Sequence, residues 1–377
     1  MPPARPLVAA VPVRNEAQRI GPCLHALAVQ QRACLSHVVL LLNNCTDGTR
    51  DVVRALVPSL PFGVVVAQRT YPPAMAHAGT ARRAAMQAAA ALAGPDGILL
   101  TTDADGRVAP DWLAHTLAAF DAGADVVCGR ALIDAEEARL IPAHLHEDDR
   151  METAYATLLD RIHDLVDPDP HDPWPRHTEH SGASIAVTVA AWRRAGGIPA
   201  VPLGEDRGFL RALRHVDAAI RHAPDVTVCV SGRTAGRACG GMADTMARRM
   251  VRQDEMLDDS LEPPRACLRR AQARAALHRL RALPPATGPW HDAVADLAAL
   301  LRLPTGCVAH MSRARFGGMA WDRLEALSPV LRRVPVRRAD LPMHMDAARR
   351  IVDSLLVTHA APGVMPVPAP VVTSVVR

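Results

Sequence analysis

The sequence contains no lysine, so all 43 of its basic side chains are arginines. Aromatic residues make up 3% of the chain, and a protein that stacks bases on aromatic rings usually has more of them. The 43 basic and 39 acidic residues are interleaved and leave a net charge of +4, which argues against nucleic acid as a partner. No apolar run approaches the roughly 20 residues of a membrane-spanning helix, and the N-terminus turns polar before a signal-peptide core could form. These absences predict a cytoplasmic protein without a transmembrane segment.

The eight cysteines include no Cys-x-x-Cys pair and no Cys/His spacing typical of a zinc finger. We therefore expect reduced cysteines that pack as small apolar side chains. A zinc site formed by His144, His146 and the acidic run 147–149 is a less favoured alternative, because metal ligands usually lie on a rigid scaffold.

Short apolar runs alternate with alanine-rich helical stretches through the first 230 residues. Strands that are apolar on both faces and separated by crossover helices indicate an α/β fold, with a mainly parallel sheet flanked by helices. In open sheets of this kind, ligands bind beyond the C-terminal ends of the strands. The predicted strands cover residues 7–13, 37–42, 63–67, 97–101, 124–129, 182–188 and 226–230.

The pattern predicts three parts of the chain. Residues 1–232 form the α/β domain of a nucleotide-binding type, with an insertion at 134–180 that we expect to act as a lid over the bound ligand. Residues 233–360 are arginine-rich with helical periodicity and predict a helical C-terminal region. Residues 361–377 are proline-rich and predict a disordered tail.

Asp103 and Asp105 follow an apolar strand and stand two residues apart. In extended backbone both side chains would point the same way and could share one divalent ion. Carboxylate oxygens suit Mg²⁺ or Mn²⁺, and an ion held by two carboxylates keeps positions open for a diphosphate. The same spacing would also suit a turn or a helix cap before Pro110.

Glu205 and Asp206 open a predicted helix after a Gly-Gly-Ile-Pro turn. They could cap that helix, or one of them could be a general base that takes a proton from an acceptor hydroxyl. Arginine matches the oxygens of phosphate, so the Thr-Ala-Arg-Arg segment and Arg233 or Arg237 are candidates to clamp a diphosphate. A solvated surface charge is the simpler alternative for each of these arginines.

Five segments between residues 7 and 230 together resemble the family 2 glycosyltransferases of the GT-A fold. VPVRNEA follows the first strand, NNCTDGT follows the second, and TTDADGRVAPDWL has the form of the metal motif. GASIAVTVAAWRRAGGIP is similar to the acceptor-side segment, and GEDRGFLRAL to the downstream acidic pair. The five stand in the family's order, which is far more specific than any one of them.

The resemblance implies inverting transfer of a hexose from a nucleotide-diphospho-sugar donor to a hydroxyl acceptor. It implies Mg²⁺ or Mn²⁺ at Asp103 and Asp105, and catalysis by the Glu205/Asp206 pair, with Asp206 as the base. Many relatives have two aspartates where this chain has asparagines, so Asp47 is the substitute candidate for nucleotide recognition. The predicted donor-binding residues are Pro12, Arg14, Asn15, Glu16, Asn43, Asn44, Asp47, Arg82, Arg83 and Asp103, and the predicted acceptor or lid residues are His177, His180, Ser181 and Gly182.

Three other functions share part of this pattern. A glycoside hydrolase needs two carboxylates but no metal-binding Asp-x-Asp at a strand end. A nucleotidyltransferase usually carries a glycine-rich basic loop after its first strand, and VPVRNEA contains no glycine. A nucleotide-sugar-binding protein without catalysis could dispense with the Glu205/Asp206 pair. The acceptor is not indicated by the sequence, and a membrane-surface acceptor is compatible with it.

Overall fold

Eight strands form one sheet in the computed structural model, which describes residues 5–233, 236 and 242–360. Two sequence predictions lie outside the described residues, namely the role of Arg237 and the disordered tail at 361–377. The strands are β1 (Leu7–Val13), β2 (His37–Asn43), β3 (Gly63–Arg69), β4 (Ile98–Thr101), β5 (Arg107–Val108), β6 (Val126–Ile133), β7 (Ile185–Thr188) and β8 (Ile220–Val230).

The strand order across the sheet is β3-β2-β1-β4-β7-β6-β8-β5. β1 pairs in parallel with β2 and β4, β2 with β3, and β6 with β8. β7 runs antiparallel to both of its neighbours, and β5 runs antiparallel to β8. Six strands therefore share one direction, which confirms the predicted mainly parallel sheet and adds two reversed strands to it.

Helices cover both faces of the sheet because successive side chains of the inner strands point to opposite sides. In β1, Val11 and Val13 pack with one buried cluster, and Val8 and Ala10 pack with the other. The helices of this part are α1 (Ile20–Ala28), α2 (Thr49–Leu56), α3 (Ala78–Ala93), α4 (Trp112–Asp121), α5 (Ala135–Ala138), α6 (Ala143–Val166), α7 (Val189–Arg194) and α8 (Glu205–His215). The first cluster includes residues of α1, α2 and α4, and the second includes residues of α3, α7 and α8.

One predicted strand is not buried on both faces. β3 ends the sheet, and its side chains are exposed or half-buried, with Val65 at 37% and Val66 at 43% of full exposure. The expectation was wrong for β3 because an apolar run carries no information about whether a strand lies inside the sheet or at its edge.

The C-terminal region is helical, as predicted. Its helices are α9 (Met242–Val251), α10 (Pro264–Ala282), α11 (Gly288–Leu301), α12 (Thr305–Met311), α13 (Gly317–Leu327) and α14 (Leu341–Ala360). Helices α10 to α13 enclose their own apolar core around Leu277, Trp290 and Leu297. A second core joins α6 to α10 and α14 through residues such as Tyr155 and Met345.

The predicted insertion at 134–180 therefore has two different parts. Its long helix α6 packs into the C-terminal helices, and its last residues, 177–180, approach the C-terminal end of the sheet near β7. The domain boundary after residue 232 stays a prediction. Among the described helices, none combines the length and the apolar character that a membrane crossing requires.

Candidate active site

The loops that follow β1 and β2 are held together by side chains at the strand ends. Oδ1 of Asn15 accepts the N–H of Thr46 at 2.8 Å. The carboxylate of Asp47 accepts the N–H of Ala17 at 3.2 Å and the N–H of Thr49 at 3.1 Å. Asp47 is exposed and connects the two loops, and its predicted contact with the nucleotide stays a prediction.

Asn43, the last residue of β2, and Asn44, which follows it, have different surroundings. Asn43 is 2% exposed, and its Oδ1 has no hydrogen-bond partner among the described residues. Asn44, at a φ of +50°, exchanges two 2.9 Å hydrogen bonds with the backbone of Tyr71. Asn44 thus fixes the loop after β3, while Asn43 keeps a buried acceptor atom.

A cavity of about 570 Å³ opens beyond the ends of β1, β2 and β3. Arg14 lies in its wall and donates to the carbonyl oxygen of Ala76. Pro12 is half-buried within β1, in register with Leu41 of β2. The cavity is lined by Arg14, Asn44, Tyr71, Pro73, Ala74, Ala76, His77, Pro202 and Leu203.

The Asp-x-Asp motif lies in a tight turn. The N–H of Gly106 donates to the carbonyl oxygen of Asp103 at 2.9 Å, so the extended backbone expected from the sequence is wrong. Arg233 places Nη2 3.1 Å from Oδ2 of Asp105 and 2.7 Å from Oε1 of Glu16. Burial and the negative charge of Asp103 raise the pKa of Asp105 to about 6, against the opposing effect of Arg233.

The negative charges of Glu16 and Asp103 repel the carboxylate of Asp105. A divalent cation would relieve that repulsion, and carboxylate oxygens are the ligands that Mg²⁺ and Mn²⁺ prefer. The chemistry of these oxygens therefore suits such an ion, but the three carboxylates do not form a described group with clustered ligand atoms, and each is paired with Arg82 or Arg233.

The alternative zinc site finds no support in the described part of the chain. Nε2 of His146 lies 2.8 Å from the carbonyl oxygen of Ala138. Neither His144 nor His146 belongs to a described group of three side chains with clustered ligand atoms.

Arg82 of α3 is the centre of the buried polar network. Its Nη2 lies 2.7 Å from Oδ1 of Asp103, and its Nε lies 3.1 Å from Oε1 of Glu205. Its Nη1 donates to Oγ1 of Thr101 and to the carbonyl oxygen of Gly182, both at 2.8 Å. The side chain is 5% exposed. These contacts make Arg82 an internal link between the two acidic motifs, and its predicted donor contact stays a prediction.

The second arginine of this segment has a simpler environment. Nη1 of Arg83 donates to the carbonyl oxygen of Ile198 at 3.0 Å. This bond joins α3 to the loop that precedes α8, so the described contact of Arg83 is also structural.

The acidic pair begins α8, as predicted, after Gly204 in the left-handed region at a φ of +67°. Glu205 is buried against Arg82. Asp206 is half-buried, and its Oδ2 accepts the N–H of Gly182 at 3.0 Å. Within the described residues Asp206 forms no salt bridge, so it is the member of the pair with a carboxylate available to a ligand.

The predicted acceptor-side histidines precede Gly182, whose N–H binds Asp206. His177 bonds to the carbonyl oxygen of Cys128 through Nε2 at 3.0 Å and accepts the N–H of Glu179 through Nδ1 at 3.1 Å. Nε2 of His180 lies 2.9 Å from Nη2 of Arg214. Burial lowers the pKa of His177 to about 4 and that of His180 to about 2, so both imidazoles are neutral near pH 7.

Sequence reasoning missed a third histidine in the same cluster. His222 of β8 bonds through Nδ1 to Oδ2 of Asp172 at 2.7 Å, and its ring lies 5.3 Å from that of His180. No local signal in the sequence marks the contact between His222 and Asp172, because fifty residues separate these two partners.

The predicted acceptor residue Ser181 has a local contact. It accepts the N–H of Ala183 at 3.3 Å.

Residues 9–172 match the family model described as Glycosyl transferase family 2. Among solved structures, the chain is similar to S. aureus TarS 1–349, with 16% identity over 85% of this chain and 90% of that chain and a TM-score of 0.44. It is similar to the mannosyltransferase PcManGT from Pyrobaculum calidifontis in complex with GDP-Man and Mn²⁺, with 18% identity, 96% and 89% coverage and a TM-score of 0.44. A third is glucosyl-3-phosphoglycerate synthase from Mycobacterium tuberculosis with Mn²⁺, UDP and phosphoglyceric acid, with 14% identity, 66% and 78% coverage and a TM-score of 0.39. No curated protein sequence matches the chain.

Proposed function

We propose that this chain, a glycosyltransferase with a family 2 domain at residues 9–172, transfers a hexose from a nucleotide-diphospho-sugar to a hydroxyl acceptor. The transfer inverts the configuration of the anomeric carbon. The observation that carries the mechanism is the difference between two adjacent carboxylates. Glu205 is paired with the buried Arg82, whereas Asp206 is half-buried, forms no described salt bridge and accepts the backbone N–H groups of Gly182 and Arg207.

In this proposal the donor binds beyond the ends of β1, β2 and β4. The carboxylates of Glu16, Asp103 and Asp105 would hold Mg²⁺ or Mn²⁺ beside the donor diphosphate. When bound, that cation would neutralise the negative charge that develops on the departing diphosphate. Arg82 holds Asp103 in place through the 2.7 Å ion pair.

Asp206 removes the proton from the acceptor hydroxyl as that oxygen attacks the anomeric carbon. The N–H of Gly182 on Oδ2 and the N–H of Arg207 on Oδ1 orient the carboxylate, and each oxygen keeps a second lone pair that can meet the acceptor. Glu205 acts as a positioning residue, because its contact with Arg82 fixes the first turn of α8 against the Asp103 loop.

A thermal-shift panel of UDP-, GDP- and dTDP-sugars, each with and without Mn²⁺, tests the donor site. One donor should stabilise the protein in a metal-dependent way, by about 2.7 kcal/mol at 100 times its Kd. Asp105→Ala should lose that metal-dependent gain. Asp96→Ala is the matched control, because Asp96 is exposed in the turn before β4, at the opposite end of that strand.

Two outcomes would replace the proposal with one of its alternatives. Pyrophosphate release from a nucleoside triphosphate would indicate a nucleotidyltransferase. Donor binding without any sugar transfer, and unchanged by replacement of the acidic pair, would indicate a nucleotide-sugar-binding protein.

A further inference from the structure

Arg233 lies between two carboxylates of the acidic site. Its guanidinium approaches Glu16 with both terminal nitrogens, Nη2 at 2.7 Å from Oε1 and Nη1 at 3.1 Å from Oε2. The same Nη2 lies 3.1 Å from Oδ2 of Asp105. Arg233 thus supplies positive charge at the point where a cation shared by Glu16 and Asp105 would have to lie.

The spacing of these atoms suits a guanidinium and not a metal ion. Mg²⁺ binds carboxylate oxygens at about 2.0–2.1 Å. Nη2 of Arg233 instead keeps the oxygens of Glu16 and Asp105 at 2.7 and 3.1 Å. A cation shared by these two carboxylates would need the position of Nη2, and two positive charges so close together repel each other. Arg233 and a divalent cation therefore compete for the same carboxylates.

The other arginine of the acidic site is fixed more firmly. The side chain of Arg82 is 5% exposed and, besides its two ion pairs, donates to Oγ1 of Thr101 and to the carbonyl oxygen of Gly182. The side chain of Arg233 is 22% exposed, and its described contacts are with carboxylates alone. Movement of Arg82 would leave buried acceptors unpaired, at a cost in free energy. Arg233 can leave without that cost when its carboxylates gain another cation.

The backbone that carries Arg233 is anchored, so a change of partner requires only that the side chain rotate. Oε2 of Glu137 on α5 accepts the hydroxyl of Ser231 at 2.9 Å and the N–H of Gly232 at 2.6 Å. Oγ of Ser231 accepts the N–H of Arg233 at 3.2 Å. Nη1 of Arg19 lies 2.8 Å from the other carboxylate oxygen of Glu137. A long side chain on this fixed base can exchange its partners through rotamer changes.

We propose that Arg233 is an exchangeable counter-ion, which neutralises Glu16 and Asp105 in the free protein and turns to the donor diphosphate when a divalent cation replaces it on those carboxylates. The inference rests on the proposed function, because it takes the cation site and the diphosphate from it. A guanidinium donates parallel N–H bonds to phosphate oxygens as well as to a carboxylate. The free protein therefore binds the cation weakly, and the cation and the donor bind together.

Binding of Mn²⁺ to nucleotide-free protein, followed by electron paramagnetic resonance of the free ion, tests the exchange. We expect Arg233→Gln to bind Mn²⁺ at least about 10-fold more tightly than wild type, because the competing charge is gone. At saturating Mn²⁺ the same variant should bind UDP or GDP, whichever wild type prefers, at least about 10-fold more weakly in calorimetric titration, because the contact with the diphosphate is lost. A residue that only stabilised the site would weaken both ligands when replaced.

Arg107→Gln is the matched control. Arg107 follows the Asp-x-Asp turn, is 51% exposed and pairs with Asp134 outside the acidic site. Its replacement removes the same charge from an exposed and screened position, so both affinities should stay unchanged. Arg233→Lys keeps the charge but loses the planar fork, so its Mn²⁺ affinity should lie between those of wild type and Arg233→Gln. Melting temperatures establish that each variant is folded, and Arg233→Lys carries the test if Arg233→Gln does not fold.

The proposal is overturned if neither Arg233 variant binds Mn²⁺ more tightly than wild type, or if Arg107→Gln gains as much affinity. Asp105→Ala shows which proposal has failed. If it abolishes Mn²⁺ binding in the presence of nucleotide while the Arg233 variants match wild type, the cation site stands and only the counter-ion role fails. If Asp105→Ala binds Mn²⁺ as wild type does, the ion lies elsewhere, and the proposed cation site fails together with the counter-ion.

Discussion

Arg82 and Glu205 form a buried ion pair although 123 residues separate them, with Nε 3.1 Å from Oε1. The pair gives the two neighbouring carboxylates of α8 different roles. Glu205 is paired with Arg82 in the protein interior, while Asp206 accepts the backbone N–H groups of Gly182 and Arg207 and faces partly toward solvent. The mechanism proposed above depends on this difference.

Replacement of the proposed base should slow transfer without weakening donor binding. Asp206→Asn keeps the size of the side chain but cannot take a proton, so the transfer rate should fall by about 10²- to 10⁴-fold. Glu205→Gln should mainly lower stability, by about 1–3 kcal/mol, because it weakens the contact with Arg82. We would measure the transfer rate, the donor affinity and the melting temperature of both variants to distinguish the base from the structural residue. If only Glu205→Gln is slow, the base has been assigned to the wrong residue.

Loss of the buried guanidinium should be strongly destabilising. Arg82→Met leaves Glu205 and the carbonyl of Gly182 without their partner, at a cost of about 3–5 kcal/mol in the free energy of unfolding. The double variant Arg82→Met/Glu205→Leu should lose less than the sum of its single changes. Arg83→Met is the control, since Arg83 makes one bond to a backbone carbonyl and should cost about 1 kcal/mol. Equal losses for Arg82→Met and Arg83→Met in denaturant titrations would contradict the assignment.

His163 on α6 should make the protein less stable in acid. Burial and the charges of Arg274 and Arg270 lower its pKa to about 3, whereas the unfolded chain has the ordinary value of 6.5. The folded state therefore binds fewer protons between these values. The stability associated with the neutral imidazole is fully present above pH 6.5 and is lost as the pH falls toward 3.

The melting temperature of wild type should accordingly fall more steeply between pH 7 and pH 5 than that of His163→Gln. His278→Gln is the control, because the side chain of His278 is 54% exposed and paired with Asp167. Parallel pH profiles for wild type and His163→Gln would show that the imidazole does not titrate in this way.

The close contact between α13 and α8 depends on a glycine. A Cβ at Gly318 would overlap the carbonyl oxygen of Arg214 and lie 2.7 Å from its carbonyl carbon. Backbone atoms cannot rotate away, so Gly318→Ala should cost about 1–3 kcal/mol and lower the melting temperature. Gly306→Ala on α12 would meet nothing within 4 Å and should be neutral or slightly stabilising. Unfolding curves of the two variants measure the difference, and a stable Gly318→Ala protein would mean that α13 can shift without loss.

Local sequence patterns determined where most elements lie. The apolar run at Leu7–Val13 is a strand over the same residues, and the alanine-rich helix α3 ends at Ala93 as predicted. These features follow from side-chain periodicity within one segment. The short strand β5, the reversal of β7 and the exposed edge position of β3 were not predicted, because each depends on which segment lies alongside.

The same division applies to the site. The sequence by itself determined the order of the motifs, the acidic character of residues 103–105 and the position of Glu205 and Asp206 at the start of a helix. Only the tertiary structure decided that Arg82 joins Asp103 to Glu205 and that His180 holds Arg214. The physical reason is that ion pairs and hydrogen bonds act over a few ångströms, and folding alone brings together groups that lie tens of residues apart in the chain.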